Sequence, residues 1–473
     1  MFYVLILAIC VFLVRVTLAQ GVRAAVSVGW IMALIVPYWL FRNYGPIRLD
    51  MQTSICIALF ACVALHPTTR LPRRFVLADI LMGGLALVVL VSEVSAAGLK
   101  ISLLVRPVQE WLMPYVLGRL LFQSYEDIRR ITPLVAYACL LLAVWAGFEA
   151  VAKVNPISYV TNHSSPFEQP HTLRLGFKRA EGPFTHPIYF GMVLLLLAPW
   201  TLEAARRAYQ GDGPKWWLLV PCANAAAILC TMSRGPALGL IFAAYVTVFL
   251  SWPKWRVQLF AVGLLACIAV LAGRHLAYEV LTTWSGEKDY EVFFIDGEPY
   301  PYTGTDHRWL QFLVYERAIA EAGLLGFGKL GPIDGSPHME YVEDHLEPRF
   351  ASIDNHYIYM ILSSGYLGVL LFLLLGACTI YYLAKQAGRV TAPYSLFAAS
   401  TCGVLVAQMC LMLTVWLARD FGFMFLSTFG LAASWRAHAH VLALEERPSW
   451  NAGSMARQPG RGVSRRLVPG HPS

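Results

Sequence analysis

Long apolar runs recur along the whole chain, and short polar or charged segments separate them. The runs occupy residues 1–19, 24–41, 51–66, 75–97, 109–122, 131–150, 184–202, 216–252, 257–272, 357–383, 392–417 and 421–435. A helix needs about 20 apolar residues to cross a bilayer, and most of these runs approach or exceed that length. The pattern predicts an all-α fold, a polytopic membrane helix bundle with about 12 (12 or 13) transmembrane helices.

The run at 216–252 is too long for a single crossing. As one helix it would measure about 55 Å, whereas the hydrocarbon core is about 30 Å thick. Its only turn signal is Ser233-Arg234-Gly235-Pro236, so it is predicted to form a helical hairpin with Arg234 at the turn. Counting both arms gives 13 runs. The preferred total is 12 crossings, with either 109–122 re-entrant or 1–19 flat on the membrane.

Basic residues assign the turns to the two sides of the membrane. Arg206 flanks one end of the hairpin and Lys254 flanks the other, which places both ends in the cytoplasm and Arg234 outside. The later segment 276–355 then lies outside, and it carries 15 acidic against 5 basic residues. It is predicted to be one long external loop that contains an amphipathic helix over 309–322.

The chain is predicted to have one folded domain. Residues 1–444 form a single integral membrane domain, and residues 445–473, rich in Pro, Gly, Ser and Arg, form a disordered basic cytoplasmic tail. The first 19 residues lack a basic leader and contain Arg15, so we expect a retained membrane segment rather than a cleaved signal.

Composition agrees with a membrane protein and excludes other classes. The chain is 57% hydrophobic and 14% charged, whereas soluble domains are about 45–50% apolar and about 25% charged. The basic residues behind the net charge of +8 are distributed according to the side of the membrane on which each loop lies. No nucleic-acid partner is therefore predicted. The ten cysteines lie within apolar stretches, without ligand-type spacing, so neither a disulfide framework nor a zinc site is predicted.

Three external arginines are candidates for binding an anion. Cations are normally retained in the cytoplasm, so Arg234 at an external turn needs an explanation: either it reaches lipid headgroups or it binds a substrate anion. Arg179 and Arg308 are predicted to bind a substrate anion in the same way. Arg179, however, lies in a charged loop, where a solvated side chain is common. His186, which precedes a span, either forms an entry turn or joins this site, and Gly326–Gly331 is a turn with only a weak phosphate-binding signal.

A dense polar group opens the span at 357–383. It consists of Asp354, Asn355, His356 and Tyr359. A helix start explains Asp354 as the N-cap, but polar residues side by side at a membrane entry are uncommon unless they line a cavity. Gly365 and Gly368, further along the span, are predicted to be close-packing positions.

Together these residues favour a particular chemistry on one membrane face. Three arginines suit the oxygen atoms of a diphosphate, and the polar group can accept the proton of a hydroxyl. The chain contains no Asp-x-Asp sequence, so a nucleotide-sugar enzyme that holds its donor through a metal is disfavoured. No metal and no cofactor are predicted.

The order of these motifs resembles that of the O-antigen ligase and O-antigen polymerase superfamily of bacterial membrane proteins. The resemblance is carried by Arg179-Ala-Glu-Gly-Pro-Phe-Thr-His186-Pro187, Ser233-Arg234-Gly235, Arg308-Trp309 with Gly326-Phe-Gly328, Asp354-Asn355-His356-Tyr357 with Gly365-Tyr-Leu-Gly368, and Pro114-Tyr-Val-Leu-Gly-Arg119. It implies glycosyl transfer at the periplasmic face of the inner membrane. The implied donor is a glycan on undecaprenyl diphosphate, and the implied acceptor is a second glycan or lipid A core. Other polysaccharide-assembly proteins are further expected partners.

The resemblance also assigns roles to residues. Arg179, Arg234 and Arg308 would hold the diphosphate, with His186, Asn355 and Tyr359 as weaker substrate contacts. Where family ligases often carry His-Asn, this chain carries Asp354-Asn355, so the catalytic base is either His356 or Asp354. A helix N-terminus keeps a first-turn histidine neutral, which favours His356 as the base.

A transporter or lipid-linked glycan flippase is the alternative from another class. Intramembrane charges would then line a pathway through the bilayer, whereas the candidates here cluster on the outer face. Transfer of lipid-linked glycan in detergent separates the two hypotheses, because a flippase leaves product length unchanged. The glycan, its linkage and the distinction between polymerase and ligase stay open at this point.

The topology makes a direct prediction for the 276–355 segment. Cysteines introduced at Gly304 and Gly335 should react with a membrane-impermeant maleimide in intact spheroplasts, because both positions are predicted to be external. A cysteine at Lys385, on the cytoplasmic side, serves as the control and should react only after lysis. Labelling of Gly304 and Gly335 only after lysis would invert the topology.

Overall fold

The computed structural model describes most of the chain. The described residues are 2–37, 39–44, 47–65, 74–123, 125–161, 173–174, 176–285, 291–302, 306–330, 337–343, 345–346, 350, 352–389 and 394–437. Gly304, Gly335, Gly331 and the predicted tail at 445–473 lie outside these ranges.

Helices occupy every predicted apolar run. In the first part of the chain they are α1 (Phe2–Gln20), α2 (Val22–Ile35), α3 (Met51–Leu65), α4 (Leu77–Ala97), α5 (Ile101–Pro107), α6 (Met113–Leu121), α7 (Tyr125–Ala152), α8 (Pro156–Thr161) and α9 (Pro187–Tyr209). The later ones are α10 (Val220–Cys230), α11 (Arg234–Ser251), α12 (Arg256–Ala272), α13 (Arg274–Ser285), α14 (His307–Val314), α15 (Glu316–Glu321), α16 (His356–Ala387), α17 (Ser395–Leu411) and α18 (Arg419–Ala437). A π-helical turn, Val108–Leu112, joins α5 to α6, and 3₁₀ turns occupy Lys215–Leu219, Pro253–Trp255 and Pro337–Tyr341.

The described residues also form three antiparallel β-hairpins, which the all-α prediction did not include. They are β1–β2 (Phe41–Tyr44 and Ile47–Asp50), β3–β4 (Leu173–Arg174 and Phe177–Lys178) and β5–β6 (Glu291–Ile295 and Glu298–Tyr302). The predicted run 24–41 stops being helical at Ile35, because Pro37 disfavours helical geometry at Val36, which is extended. The bundle is helical, and the short hairpins connect or extend its ends.

The polytopic helical class is confirmed. Seven helices in the described ranges are long and apolar enough to cross a membrane, namely α1, α4, α7, α9, α11, α12 and α16, the last two counted over Pro253–Ala272 and His356–Ala387. Shorter apolar helices are Val22–Ile35, Met51–Leu65, Lys215–Cys230 and Ser395–Leu411. The total of 12 or 13 crossings stays a prediction.

The predicted hairpin turn within 216–252 is confirmed. Helix α10 ends at Cys230 and α11 begins at Arg234, with Ser233 as its N-cap residue. Helix α11 then packs against α17. The length argument therefore locates the turn correctly from the sequence.

Glycines allow the closest helix contact in the bundle, between α6 and α18. A Cβ atom at Gly118 would overlap the carbonyl oxygen of Ser427, and a Cβ atom at Gly430 would overlap that of Tyr115. Small residues at such crossings let two backbones approach closely in a membrane.

The segment between α12 and α16 has its own small apolar core. Leu310, Tyr315 and Phe350 are fully buried in it, together with Ile358 and Leu362 from α16. The predicted amphipathic helix over 309–322 is present but is divided into α14 and α15 at Tyr315, which leaves the helical conformation and donates its hydroxyl to the Phe350 carbonyl.

Helix α16 is broken at Gly365. There φ is +67° and ψ is −173°, a region that almost only glycine occupies. The preceding loop pairs with the exposed backbone: Phe327 N–H donates to Leu362 O at 2.7 Å, and Tyr366 N–H donates to Gly323 O at 3.0 Å. The close packing predicted for Gly365 is confirmed, since its Cβ would overlap Leu324 O.

Replacing Gly365 by alanine should lower the thermal stability of the detergent-solubilised protein. The substitution forces a side chain into a glycine-only conformation, at a cost of roughly 1–3 kcal/mol, and into the carbonyl of Leu324. Gly83→Ala is the matched control, because Gly83 lies within α4 with open space around it and should melt like the wild type. Equal melting of both variants would contradict the role assigned to the break.

Candidate functional site

The loop before α9 is fixed by a buried glutamate. Glu149, near the end of α7, accepts the backbone N–H groups of Glu181 and Gly182 at 3.1 and 2.9 Å, and it pairs with Lys178 at 3.2 Å. The loop therefore has a defined backbone although it lies between elements. This anchoring directs Arg179 toward the α10–α11 turn.

Arg179 and Arg174 both bind the turn that carries Arg234. Arg179 Nη2 donates to Ser233 Oγ at 3.0 Å, and Arg174 Nη1 donates to Met232 O at 3.0 Å. Burial and the nearby charge of Arg174, partly offset by Glu181 and reinforced by the other two arginines, lower the pKa of Arg179 to about 9. The guanidinium groups of Arg174, Arg234 and Arg308 therefore lie within electrostatic range of Arg179.

Arg308 reaches this cluster from the segment between α12 and α16. It is the second residue of α14, and its Nε donates to the carbonyl of Thr414 at 3.1 Å, in the linker between α17 and α18. Its charge acts on both Arg179 and His186. The three arginines predicted from the sequence are thus brought together from three distant segments, and Arg174 joins them.

His186 lies at the edge of the arginine cluster and caps α9. Its Nδ1 accepts the Ile188 N–H at 3.1 Å, so the neutral ring carries its proton on Nε2. Burial, followed by the charges of Arg179, Arg174 and Arg308, lowers the pKa of His186 to about 3. The side chain is therefore a neutral hydrogen-bond donor near three cations.

Asn355, not Asp354, is the N-cap of α16. Its Oδ1 accepts the N–H groups of Tyr357 and Ile358 at 2.9 and 3.2 Å, and its side chain is fully buried. The expectation that Asp354 caps the helix is wrong, because the helix starts one residue later and asparagine caps as well as aspartate. Asp354 is left outside the helix, 39% exposed, where it accepts the Ser352 hydroxyl.

His307 is a site residue that the sequence analysis missed. Its Nε2 lies 4.0 Å from Asp354 Oδ2, and its ring stacks on Phe350 with centroids 4.9 Å apart. Burial and Arg308 lower the pKa of His307, while Asp354 acts in the opposite direction. One sequence signal could have indicated it. Asp354 stands where family ligases often carry histidine, so a histidine from another segment could take that position in the site.

His356 faces away from the arginine cluster. It is 1% exposed, and its Nδ1 accepts the Leu417 N–H at 3.3 Å. The neutral ring then carries its proton on Nε2, which has no hydrogen-bond partner among the described residues. Tyr359 stacks on this ring, so these two predicted residues form a second group, separate from Asp354 and the arginines.

A cavity of about 280 Å³ opens beside His356 and Tyr359. Its charged lining residues include Glu93, Arg106 and Glu110, which the sequence analysis did not single out. The sequence did offer a sign of their importance, because these charged residues lie inside or next to apolar runs. Charges at membrane depth usually line a cavity or bind a partner. Within the described ranges, no group of three or more His, Cys, Asp or Glu side chains could hold a metal ion.

Comparison with known proteins finds a family that part of the chain is similar to. Residues 218–373 match the family model described as O-Antigen ligase. The matched part includes Arg234, Arg308 and His356, whereas Arg179 precedes it. This match confirms the resemblance inferred from the motifs.

Full-length comparisons add little. No curated protein matches the chain. A chain in the solved structure described as "Structural coordination of polymerization and crosslinking by a peptidoglycan synthase complex" is 18% identical, with 77% of this chain and 97% of that chain covered. The TM-score of 0.38 is too low to support any argument.

Proposed function

We propose that this chain, whose residues 218–373 belong to the O-antigen ligase family, is a membrane glycosyltransferase. It moves a glycan from an undecaprenyl-diphosphate carrier to the hydroxyl of an acceptor glycan or lipid. We place the reaction at the periplasmic face of the bacterial inner membrane. The observation that carries this proposal is the convergence of Arg174, Arg234 and Arg308 on Arg179.

The arginine cluster supports a multivalent anion as the ligand. Holding four guanidinium groups together in a buried place is costly, as the lowered pKa of Arg179 indicates, and a diphosphate would relieve that repulsion. Guanidinium groups bind phosphate oxygens in pairs of parallel hydrogen bonds. Fixed cations at the leaving oxygen also stabilise the charge that develops as the glycosidic bond breaks.

Asp354 is the better base of the two candidates. It is partly exposed and lies near His307, which precedes Arg308 in α14, whereas the Nδ1 lone pair of His356 is already used by Leu417 N–H. In the proposed step the acceptor oxygen forms a bond to the anomeric carbon and its proton passes to Asp354. The bond from that carbon to the diphosphate oxygen breaks, and its electron pair leaves with the diphosphate. The Ser352 hydroxyl donates to this carboxylate at 3.1 Å and helps to orient it.

Arg234→Lys should reduce transfer and weaken donor binding, because an ammonium group cannot form the paired contact of a guanidinium. A charged hydrogen bond contributes about 1.5–3 kcal/mol, so the expected loss is roughly 10- to 100-fold in kcat/KM for lipid-linked donor. Arg256→Lys, at the start of α12 and outside the cluster, is the matched control and should retain wild-type kinetics. Wild-type turnover by Arg234→Lys, measured as product length on gels, would remove the diphosphate assignment.

Asp354→Asn should abolish most transfer while donor binding persists, because it removes the proton acceptor and keeps the shape of the side chain. General-base catalysis contributes roughly 10²- to 10⁴-fold, and a loss of that size in kcat is expected. His307 adds no inflection to the rate profile near pH ~6.5, since burial and Arg308 lower its pKa and keep it neutral there. A fully active Asp354→Asn variant, or an acid limb at the ordinary imidazole pKa, would return the base role to a histidine.

A further inference from the structure

The cavity beside His356 lies under the loop that fills the break in α16. Its wall includes Ser363 and Ser364, which precede Gly365, and Leu330, which follows the loop. Lys329 is close enough to act electrostatically on Glu93, which also lines the cavity. The cavity is therefore on the same outer half of the bundle as the arginine cluster, but on the other side of Trp416.

The charges around this cavity are balanced in number. Arg106 binds both Glu93 and Glu110, the latter at 3.0 Å, and Arg419 binds Asp50 at 3.1 Å. Arg48 also lines the cavity, so three arginines are matched by three carboxylates. Such pairing leaves little net field for a strongly charged ligand, in contrast to the arginine cluster. The cavity is polar without being an ion site.

Glu93 and His356, which line the cavity, each have a buried polar atom without a hydrogen-bond partner among the described residues. Glu93 Oε2 is an acceptor, and Glu93 is 3% exposed. His356 Nε2 is a donor in the tautomer fixed by Leu417. Buried groups of this kind normally have partners, so an acceptor and a donor facing one cavity indicate a ligand that both donates and accepts.

Aromatic rings complete the lining. Trp111, Trp416 and Tyr359 border the cavity, and the rings of Tyr359 and Trp416 are 5.7 Å apart. Aromatic rings pack against the apolar faces of a sugar, and the polar groups between them can bind the hydroxyl groups at its edges. A volume of about 280 Å³ accommodates one such ring, since a cavity of about 150 Å³ holds benzene.

We propose that this cavity binds one neutral sugar ring of the acceptor glycan, next to the sugar that reacts. The proposal rests on the proposed transferase function and extends it to the acceptor. Trp416 joins the two sites: it lines the cavity and lies near Tyr189, whose ring is 5.5 Å from that of His186 at the edge of the arginine cluster. The acceptor is thereby held close to the diphosphate without sharing its contacts.

The test compares two probes on the full-length protein in detergent. The first probe is the oligosaccharide released by mild acid from the lipid-linked glycan of the producing cells, measured by saturation-transfer NMR. The second is inorganic diphosphate, measured by calorimetry. Glu93→Gln should weaken oligosaccharide binding roughly tenfold and leave diphosphate binding unchanged. In transfer assays it should raise KM for the acceptor and not for the donor.

Glu203→Gln is the matched control, because Glu203 is an equally buried glutamate paired with Arg206 at the far end of α9. It should bind both probes like the wild type. His356→Phe is a second variant: it keeps an aromatic ring and the ion pairs but removes the Nε2 donor together with the Nδ1 acceptor of Leu417 N–H. Its melting temperature is measured alongside, and in the folded variant oligosaccharide binding alone should weaken.

Equal oligosaccharide binding by the wild type and both cavity variants, or none by the wild type, overturns the acceptor proposal. A KM increase for the donor instead of the acceptor overturns it as well. Failure of the wild type to bind diphosphate counts separately against the proposed function, because that probe requires only the arginine cluster.

Discussion

The site depends on the hydrogen bonds that replace those lost where the backbone of α16 is broken. In a bilayer, each unpaired N–H or C=O group costs several kcal/mol, so a helix can break only where other protein groups replace the lost hydrogen bonds. Here the loop at 323–328 supplies them, and the Ser92 hydroxyl of α4 donates to the carbonyl of Ser363. The break separates a short outer half-helix, which starts at His356, from the long inner part. The external segment is thereby bonded directly to the membrane bundle.

This constraint explains why the external segment is ordered close to the arginine cluster. Ile358 and Leu362, on the outer half-helix, belong to the apolar core of that segment, so the half-helix and α14 are packed as one unit. Arg308 is thus delivered from α14 to the linker between α17 and α18. This packing and the Glu149 anchor hold the arginines close together despite their repulsion.

The sequence predicted features that follow from length and side preference, and it missed those that need tertiary contacts. The turn at Arg234 was predictable because no helix of that length fits a bilayer, and an external arginine stands out against the usual side bias. The cap was misplaced because Asp354 and Asn355 are adjacent and equally able to cap. His307 and Glu93 were missed because their significance comes from partners far away in the chain, which periodicity does not report.

The separation of two kinds of polar environment is the last step of the argument. The arginine cluster concentrates like charge, which favours a multivalent anion, whereas the cavity at Glu93 cancels its charges internally and presents single donors and acceptors. One site built for both tasks would be compromised, since arginines that hold a diphosphate would also attract it into the acceptor position. Placing Trp416 between them keeps the ligands adjacent while their electrostatic requirements stay distinct. Selectivity in such an arrangement comes from the difference in net charge between two neighbouring sites.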